Sequence, residues 1–356
     1  MKNNYEALNK LGWSDWFAQR AICEPTDAIA RVAAVDRDQL LIEGQAGQFR
    51  AKLSGSYLHH HVPEQFPCVG DWVCVERQHG DDFGIIHAVI ERRTSLHRKS
   101  AGHNVEHQMI AANIDYVVIV QSCQFDFNLN RLQRYLVMIL EGGAAPCILL
   151  TKTDLVDPGV LSSQLAEIAS AGITAPIFPL SNVTRHGLDE FRHLLVPTKT
   201  YCFVGSSGVG KSTLINHLIG HQQLETGSTS GTGEGRHTTV RRELIRLEGG
   251  ALVIDNPGMR ELGIIDANEG IGDSYADISA LSTGCHYRNC SHTDEPGCAV
   301  LAAVRDGEIS TESLGNFHKI KEESRFNDMS YADKRKKDRN FGRYIKSAKK
   351  DLKKDK

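Results

Sequence analysis

The sequence predicts a multidomain protein with an N-terminal β-barrel, a central α/β domain and a small, mainly helical C-terminal module. Short strands with polar turns run from about residue 28 to residue 95, and strands then alternate with helices to about residue 268. Three cysteines and a histidine cluster soon afterwards. A chain of 356 residues also exceeds the usual size of one hydrophobic core, so several domains are expected.

The bulk composition is that of a globular protein without a membrane span. Hydrophobic residues make up 40% of the chain and charged residues 24%, and no apolar run reaches the length of a transmembrane helix. The first residues lack the pattern of a secretory signal, so we expect a cytoplasmic protein. Six cysteines scattered singly through apolar or strand-like segments are expected to be reduced core residues: Cys23, Cys68, Cys74, Cys123, Cys147 and Cys202.

Charge is distributed unevenly along the chain. Residues 331–356 carry 12 Lys and Arg against 4 Asp, a net charge of +8, whereas the rest of the chain has a net charge of −11. A basic tail on an acidic body is typical of an arm that binds phosphate groups. A solvated, disordered end is the alternative interpretation of the same pattern.

The first predicted domain, residues 28–95, is a barrel of short strands. The strand-like segments are IARVAAV, QLLIEG, QFRAKL, DWVCVE and FGIIHAVI. A five-stranded barrel of this size is the oligonucleotide-binding (OB) type, although other small barrels fit the same pattern. Residues 1–27 are left as an N-terminal extension without an assigned role.

Residues 96–268 are predicted to form a parallel α/β sheet covered by helices on both faces. Helices are expected near residues 129–141 and 160–171 and from residue 211 onwards. The expected strands are DYVVIV, CILLTK, IFPL, YCFVG, RELIRL and ALVID.

A glycine-rich loop follows the strand TYCFV and precedes the helix STLINHLIG, which is the context that a phosphate-binding loop requires. In such a loop, backbone N–H groups surround phosphate oxygens, a lysine bridges the outer phosphates and a hydroxyl binds Mg²⁺. Lys211 is the expected phosphate lysine and Ser212 an expected Mg²⁺ ligand. A ligand-free glycine-rich turn is the alternative. The predicted loop residues are Gly205, Ser206, Ser207, Gly208, Val209, Gly210, Lys211, Ser212 and Thr213.

The tetrapeptide Thr151-Lys152-Thr153-Asp154 follows the apolar strand CILL and resembles the guanine-reading motif of GTPases, with Thr in place of the usual Asn. The Asp154 carboxylate would accept hydrogen bonds from guanine N1 and its exocyclic amine, a donor pair that adenine does not offer. Lys152 would lay its aliphatic stem along the purine. Ser181, after the strand IF, falls where a further base-contacting loop is expected. Taken alone, the tetrapeptide also fits a solvated turn.

Two segments resemble the switches of GTPases. Asp255 and Gly258 belong to an Asp-x-x-Gly sequence after the strand ALVI, where the aspartate would bind Mg²⁺ and the glycine N–H the γ-phosphate. Residues 233–239 lie where the first switch is expected, and either Thr238 or Thr239 would complete the Mg²⁺ shell.

The residue that positions the attacking water is expected in the first of these segments. Many GTPases carry a glutamine directly after Asp-x-x-Gly, but this chain has Met259, whose thioether cannot orient water. The imidazole of His237 can orient or accept a proton from water, so His237 is the candidate catalytic residue. The alternative is that His237 has no role beyond its place in a loop.

The C-terminal module, residues 269–330, contains a predicted zinc site. Cys285, Cys290, His292 and Cys298 supply three thiolates and one imidazole, enough to close a tetrahedral shell around Zn²⁺. A closed shell has no position for a reacting water, so the ion would be structural. His286 is a nearby competitor, and a metal-free cluster is the other alternative.

The motifs occur in an unusual order, because both base-reading segments precede the phosphate loop and the switches. A circular permutation produces this order when the old ends of a sheet are joined and new ends are cut. The order, together with the barrel and the Cys/His cluster, resembles the RsgA (YjeQ, EngC) family over about residues 28–345. Segments 69–73 and 111–115 also match, and the resemblance selects His292 as ligand and His237 as catalytic residue.

This resemblance implies a GTPase that binds the 30S ribosomal subunit and its rRNA, acts in late subunit maturation and is stimulated by the subunit. It also implies one structural Zn²⁺, Mg²⁺ bound with GTP, and a monomer that does not associate with membranes. Two other classes remain open: a nucleotide-gated RNA-binding adaptor, and an ATP-dependent phosphotransferase. Asp154 argues against the latter, since its carboxylate would repel the acceptor N1 of adenine.

Overall fold

The computed structural model describes residues 5–24, 26–36, 39–77, 83–99, 107–220, 242–255 and 268–328. No helix in these ranges is long and apolar enough to cross a lipid bilayer. The strands are β1 Ala28–Val35, β2 Leu40–Gly44, β3 Gly47–Leu53, β4 Trp72–Arg77, β5 Phe83–Val89, β6 Ser95–Lys99, β7 His107–Ala112, β8 Tyr116–Ser122, β9 Ala145–Thr151, β10 Ile177–Pro179, β11 Thr200–Val204, β12 Glu243–Arg246 and β13 Leu252–Asp255. The helices are α1 Glu6–Asn9, α2 Asp15–Ala18, α3 Gly55–His60, α4 Leu129–Glu141, α5 Pro158–Ser170, α6 Leu188–His193, α7 Lys211–Ile219, α8 Asn268–Ser274, α9 Ala276–Ser282, α10 Ala299–Asp306 and α11 Thr311–Asp328.

Strands β1 to β5 form the predicted five-stranded barrel. The strands pair in the order β1-β2-β3-β5-β4, and β4 closes the ring by pairing with β1. β3 and β5 run parallel, while the other pairs in the ring are antiparallel. Alternate side chains fill the interior, including Val32, Ile42, Val73 and Ile86, none of which is exposed. The architecture confirms the expected OB-type barrel.

The central sheet has the strand order β10-β9-β8-β11-β13-β12, in which the first five strands are parallel and β12 is antiparallel. Alternate residues of β8 face opposite layers. Val117 and Ile119 belong to the core that contains α4, whereas Val118 and Val120 belong to the core that contains α7. Burial on both faces explains why these strands appear as continuous apolar runs in the sequence. β12 also pairs with β1, so the barrel continues the sheet.

The N-terminal residues, which the sequence left unassigned, pack into the main core. Leu8, Trp13 and Phe17 are almost fully buried, and the Trp13 ring lies edge-on to Trp72 of β4, with 4.8 Å between ring centroids. Arg31 holds this N-terminal segment against the barrel, because its side chain donates hydrogen bonds to the carbonyl oxygens of Leu11, Gly70 and Asn113. One buried guanidinium therefore joins the N-terminal segment, the barrel and the start of the central sheet.

The expectation that Cys23 and Cys74 are reduced is wrong, because the two residues form a disulfide with a Cα–Cα distance of 5.4 Å. They are separated by 51 positions, and only the return of the N-terminal segment over β4 brings them together. The other four cysteines of that group are buried and form no disulfide, as expected: Cys68, Cys123, Cys147 and Cys202.

Helices α8 to α11 form a C-terminal module with its own small core. Ile271, Tyr275, Ile278, Val300 and Phe317 are among its buried residues. Val137 of α4 belongs to the same cluster, so the module packs directly on a helix of the central domain. The basic segment 331–356 lies outside the described residues.

Candidate functional site

The predicted phosphate loop connects β11 to α7 at the carboxyl edge of the parallel strands, where ligands of open α/β sheets bind. Glycine is required at two positions of this loop. Gly205 has φ 143°, and an added Cβ would lie 2.2 Å from the Val120 carbonyl oxygen. Gly210 has φ 97°, and an added Cβ would lie 2.6 Å from Asn182 Nδ2. A side chain at Gly205 would collide with the backbone of β8, and a side chain at Gly210 would collide with Asn182. The loop can therefore pass this close to both segments only with glycine at these positions.

Lys211, the first residue of α7, is buried beneath the loop. Its Nζ donates hydrogen bonds to the carbonyl oxygens of Gly205 at 2.8 Å and Ser206 at 2.6 Å. Burial lowers the pKa of Lys211 to about 8, although the negative charges of Asp255 and Asp126 act in the opposite direction. A cation held in this way inside a ring of backbone groups is positioned to exchange its carbonyl partners for phosphate oxygens.

The predicted base-reading residues lie on the next loops along the same edge. Asp154 follows β9 and is exposed, while Ser181 follows β10 and is buried. The Ser181 hydroxyl donates to Asp154 Oδ1 at 2.5 Å and accepts from the backbone N–H groups of Val183 and Thr184. The two predicted loops are thus joined, and the exposed carboxylate remains accessible to a ligand.

Thr151 and Lys152 set the position of this carboxylate. The Thr151 hydroxyl is fully buried and donates to the Val209 carbonyl oxygen at 2.6 Å, which ties the base-reading loop to the phosphate loop. Lys152 has φ 58° and ψ 38°, a left-handed conformation that turns the chain sharply after β9. The turn brings Thr153 and Asp154 into a short 3₁₀ helix.

Two residues near the phosphate loop were not singled out as site residues from the sequence, although Asn182 belongs to the predicted base-contacting segment 179–182. Asn182 donates from Nδ2 to the Gly210 carbonyl oxygen at 3.1 Å. Asp126, in the turn after β8, forms an ion pair with Arg131 and contacts Ser206 of the phosphate loop. The available signal was positional: polar residues that directly follow parallel strands gather at one edge of the sheet.

The predicted Mg²⁺ ligands are only partly within the described residues. Asp255 ends β13 and is 2% exposed, and β13 pairs with β11 so that Asp255 lies opposite Phe203 near the start of the phosphate loop. Ser212 lies in the first turn of α7. A buried carboxylate and a hydroxyl beside a phosphate loop are oxygen donors of the kind Mg²⁺ binds. His237, Thr238, Thr239 and Gly258 lie outside the described residues.

The four predicted zinc ligands converge in the C-terminal module. All their ligand atoms lie within 4.8 Å of one another. Cys285 Sγ is 3.6 Å from His292 Nδ1 and 3.8 Å from Cys298 Sγ, and His292 Nδ1 is 3.4 Å from Cys298 Sγ. A tetrahedral Zn²⁺ with ordinary bond lengths requires about 3.8 Å between two sulfurs and about 3.5 Å between sulfur and nitrogen. The cluster therefore fits a tetrahedral metal ion, with His292 rather than His286 as the imidazole ligand.

The chain resembles known proteins over most of its length. The RsgA GTPase family model matches residues 89–265. The small ribosomal subunit biogenesis GTPase RsgA 2 of Vibrio parahaemolyticus is 36% identical over 98% of this chain and 94% of its own length. RsgA 2 of Lactiplantibacillus plantarum is 41% identical over 85% of this chain and 84% of its own length.

Solved structures show the same fold. The crystal structure of YjeQ from Thermotoga maritima superposes with a TM-score of 0.63 at 24% identity, covering 83% of this chain and 97% of that one. YloQ, described as a circularly permuted GTPase, gives a TM-score of 0.59 at 23% identity and covers 85% of this chain and 98% of that one. Given the identity and coverage of the sequence relatives, this chain belongs to the RsgA family of circularly permuted GTPases.

Proposed function

We propose that this protein hydrolyses GTP to GDP and phosphate and acts in the late maturation of the small ribosomal subunit, which stimulates its turnover. The main support for GTP binding is the hydrogen bond from Thr151 to Val209, which fixes the Asp154 carboxylate relative to the phosphate loop. A guanine base and a polyphosphate are recognised together only if these two loops keep a constant separation. The ribosomal part is supported by the relatives, which are named small ribosomal subunit biogenesis GTPases.

The nucleotide would be bound by residues from four loops. Asp154 and Ser181 would contact guanine, the aliphatic stem of Lys152 would lie along the purine, and Thr151 and Thr153 would shape the loop. Backbone N–H groups of 205–210 would surround the phosphates, and Lys211 would neutralise charge on the outer ones. Thr213 would extend the loop into α7, and Gly258 would bind the γ-phosphate.

Ser212 and Asp255, together with Thr238 or Thr239, would hold Mg²⁺, which would stabilise the negative charge that develops on the phosphates during hydrolysis. His237 would orient the attacking water, since Met259 cannot. We therefore expect slow GTP hydrolysis in the absence of a partner, because Met259 stands directly after Gly258, where many GTPases have a glutamine.

The remaining parts would bind the ribosomal subunit. The barrel belongs to a class that binds oligonucleotides, and the segment 331–356 carries a net charge of +8 that suits contact with rRNA phosphates. Cys285, Cys290, His292 and Cys298 would hold one structural Zn²⁺ that stabilises the C-terminal module. We propose that the chain works as a monomer.

The test is GTP turnover by the purified protein, alone and with 30S subunits, with ATP as a substrate control and Asp154→Ala as a binding control. Strong stimulation by 30S and loss of guanine selectivity in the variant are expected. If 30S leaves turnover unchanged while free RNA stimulates it, the ribosomal assignment is wrong and the GTPase assignment stands. If His237→Ala retains full turnover, His237 is not the residue that positions water.

A further inference from the structure

Asp126 lies in the turn between β8 and α4, directly beside the phosphate loop. Its Oδ1 pairs with Arg131 at 2.8 Å, and its carboxylate interacts with the side chain of Ser206. Its charge also acts on the ammonium group of Lys211. One side chain thus touches the phosphate loop on one side and the beginning of α4 on the other.

The turn that carries Asp126 is firmly attached to α4. Asn128 caps the helix by accepting a hydrogen bond from Arg131 N at 2.8 Å. The side-chain amide of Gln121, at the end of β8, forms two hydrogen bonds with the backbone of Asn128. It donates to the carbonyl oxygen and accepts from the N–H, both at 3.2 Å. Arg131 also donates to the carbonyl oxygen of Asp126. A displacement of the Asp126 carboxylate would therefore be passed to the first turn of α4.

The far face of α4 carries the C-terminal module. Asn316 of α11 donates to Gln133 Oε1 at 3.1 Å, and both residues are buried. Arg134 pairs with Glu323 of α11. Gly270 of α8 approaches so closely that an added Cβ would lie 2.2 Å from the carbonyl oxygen of Val137. Tight packing of this kind transmits small displacements of a helix, because interiors have little free volume.

Asp126 has features that a purely structural ion pair does not need. Its Oδ2 is buried and has no hydrogen-bond partner in the part of the chain that the structure describes. Buried polar atoms in proteins are nearly always hydrogen-bonded, so an exception beside a ligand loop points to a functional role. Burial raises the pKa of the Asp126 carboxyl, and the charge of Arg131 opposes that rise.

We propose that Asp126 is a positioning residue that couples the occupancy of the phosphate loop to the C-terminal module, through Ser206 on one side and Arg131 and α4 on the other. The coupling rests on the proposed function, since it requires a nucleotide in the loop. When phosphate draws Lys211 away from the carbonyl oxygens of Gly205 and Ser206, the Asp126–Ser206 contact is the one that readjusts.

The test is hydrogen exchange of residues 268–328 in the full chain, with and without a non-hydrolysable GTP analogue, alongside the affinity for that analogue. The variants are Asp126→Asn, which removes the charge at nearly constant shape, and Ser206→Ala, which removes the hydroxyl. Ser206→Thr keeps a hydroxyl. The matched control is Asp189→Asn, because Asp189 is exposed and also pairs with an arginine, Arg192, at 3.0 Å.

In the wild-type protein and in Asp189→Asn, the analogue should change exchange in 268–328. In Asp126→Asn and Ser206→Ala that change should shrink by about fivefold or more, a typical allosteric coupling, when each variant is saturated with the analogue according to its own measured affinity. The double variant should show no further loss, since both residues act through one contact. Ser206→Thr should restore the change. If Asp126→Asn does not fold, the comparison of Ser206→Ala with Ser206→Thr decides.

A wild-type response in Asp126→Asn and Ser206→Ala would overturn the proposal. So would a wild-type protein that binds the analogue with no change of exchange in 268–328. If the wild-type protein binds no guanine nucleotide at all, the proposed function fails first and the coupling fails with it. The affinity measurement distinguishes these two failures.

Discussion

The hydroxyl of Thr151 donates a 2.6 Å hydrogen bond to the carbonyl oxygen of Val209 and lies 3.2 Å from that of Gln121. Thr151 ends the strand before the base-reading loop, and Val209 lies in the phosphate loop 58 positions later. The threonine that replaces the usual asparagine of this motif therefore joins the predicted base-reading loop to the predicted phosphate loop.

Thr151→Val keeps the shape of this side chain but removes the hydroxyl. The Val209 carbonyl would lose its buried donor, so we expect a loss of about 1–3 kcal/mol in the free energy of unfolding and weaker guanine nucleotide binding. Thr151→Asn should recover much of the affinity because its amide can donate. Denaturant unfolding and nucleotide titration measure both effects. Exposed Thr174→Val is the control, and an affinity as high as that of the wild type in Thr151→Val would contradict the role.

Asp154→Asn should change which base is bound. An amide at this position offers a donor where the carboxylate accepts, so it suits xanthine, whose O2 is an acceptor, better than guanine. We expect GTP affinity to fall by about tenfold or more and xanthosine triphosphate affinity to rise. Competition titrations with both nucleotides measure the preference. Asp157→Asn, three positions away and also exposed, should keep the preference for GTP; a guanine preference retained by Asp154→Asn would show that the base is read elsewhere.

Lys211→Met should separate stability from binding. The pKa of Lys211 falls from 10.5 to about 8 on folding, so below pH 8 both states hold the proton and the buried charge costs on the order of 3 kcal/mol. We expect the nucleotide-free variant to be at least as stable as the wild type at pH 7, despite two lost hydrogen bonds. Its advantage should shrink between pH 8 and 10.5, where the wild-type lysine becomes neutral in the folded state.

Nucleotide binding by the same variant should weaken about 10- to 100-fold, since a charged hydrogen bond to phosphate is lost. Unfolding curves at pH 7, 8, 9 and 10 and a nucleotide titration at pH 7 provide the measurements. Stability that falls by several kcal/mol at pH 7 without recovery at higher pH would show that the lysine stabilises the empty loop instead.

Metal removal should affect one module only. A chelator that strips the cluster should make three more thiols reactive at pH 8: Cys285, Cys290 and Cys298. Cys123 and Cys147 should remain unreactive, since burial raises their pKa values to about 11 and about 12. Thiol titration and metal analysis, with one Zn²⁺ per chain expected, check this outcome. Cys290→Ser should lose the metal, whereas the distant, buried Cys202→Ser should keep it. Three reactive thiols before chelation would rule out a bound metal.

Trp13→Ala tests the unexpected burial of the N-terminal residues. Trp13 packs on Trp72 and Phe17 and is 6% exposed, so its removal should cost about 3–5 kcal/mol of unfolding free energy. Trp16→Ala is the control, because Trp16 is only partly buried and lies beneath Arg20. Chemical denaturation of both variants gives the comparison. An equal or smaller cost for Trp13→Ala would mean that the segment is not part of the core.

Much of the central fold followed from local pattern. The helix expected near 129–141 spans Leu129–Glu141, and each predicted central strand is present within a few residues. The barrel strands were also predicted from their alternating pattern, because that pattern shows which side chains of a strand face the core. The Cys/His cluster was predicted from the spacing of its cysteines, and the family resemblance selected His292 over His286. The assignment of the switch residues remains a prediction, since 221–241 and 256–267 lie outside the described residues.

The sequence by itself determined the order of the motifs and the classes of the domains, and it predicted the chemistry of the nucleotide and metal sites. Only the tertiary structure decided that Cys23 meets Cys74, that Arg31 joins three parts of the chain and that Asp126 stands between the phosphate loop and α4. These contacts join residues far apart in the sequence or depend on the exact path of a turn. No periodic pattern encodes them, because they arise from how already formed segments pack against one another.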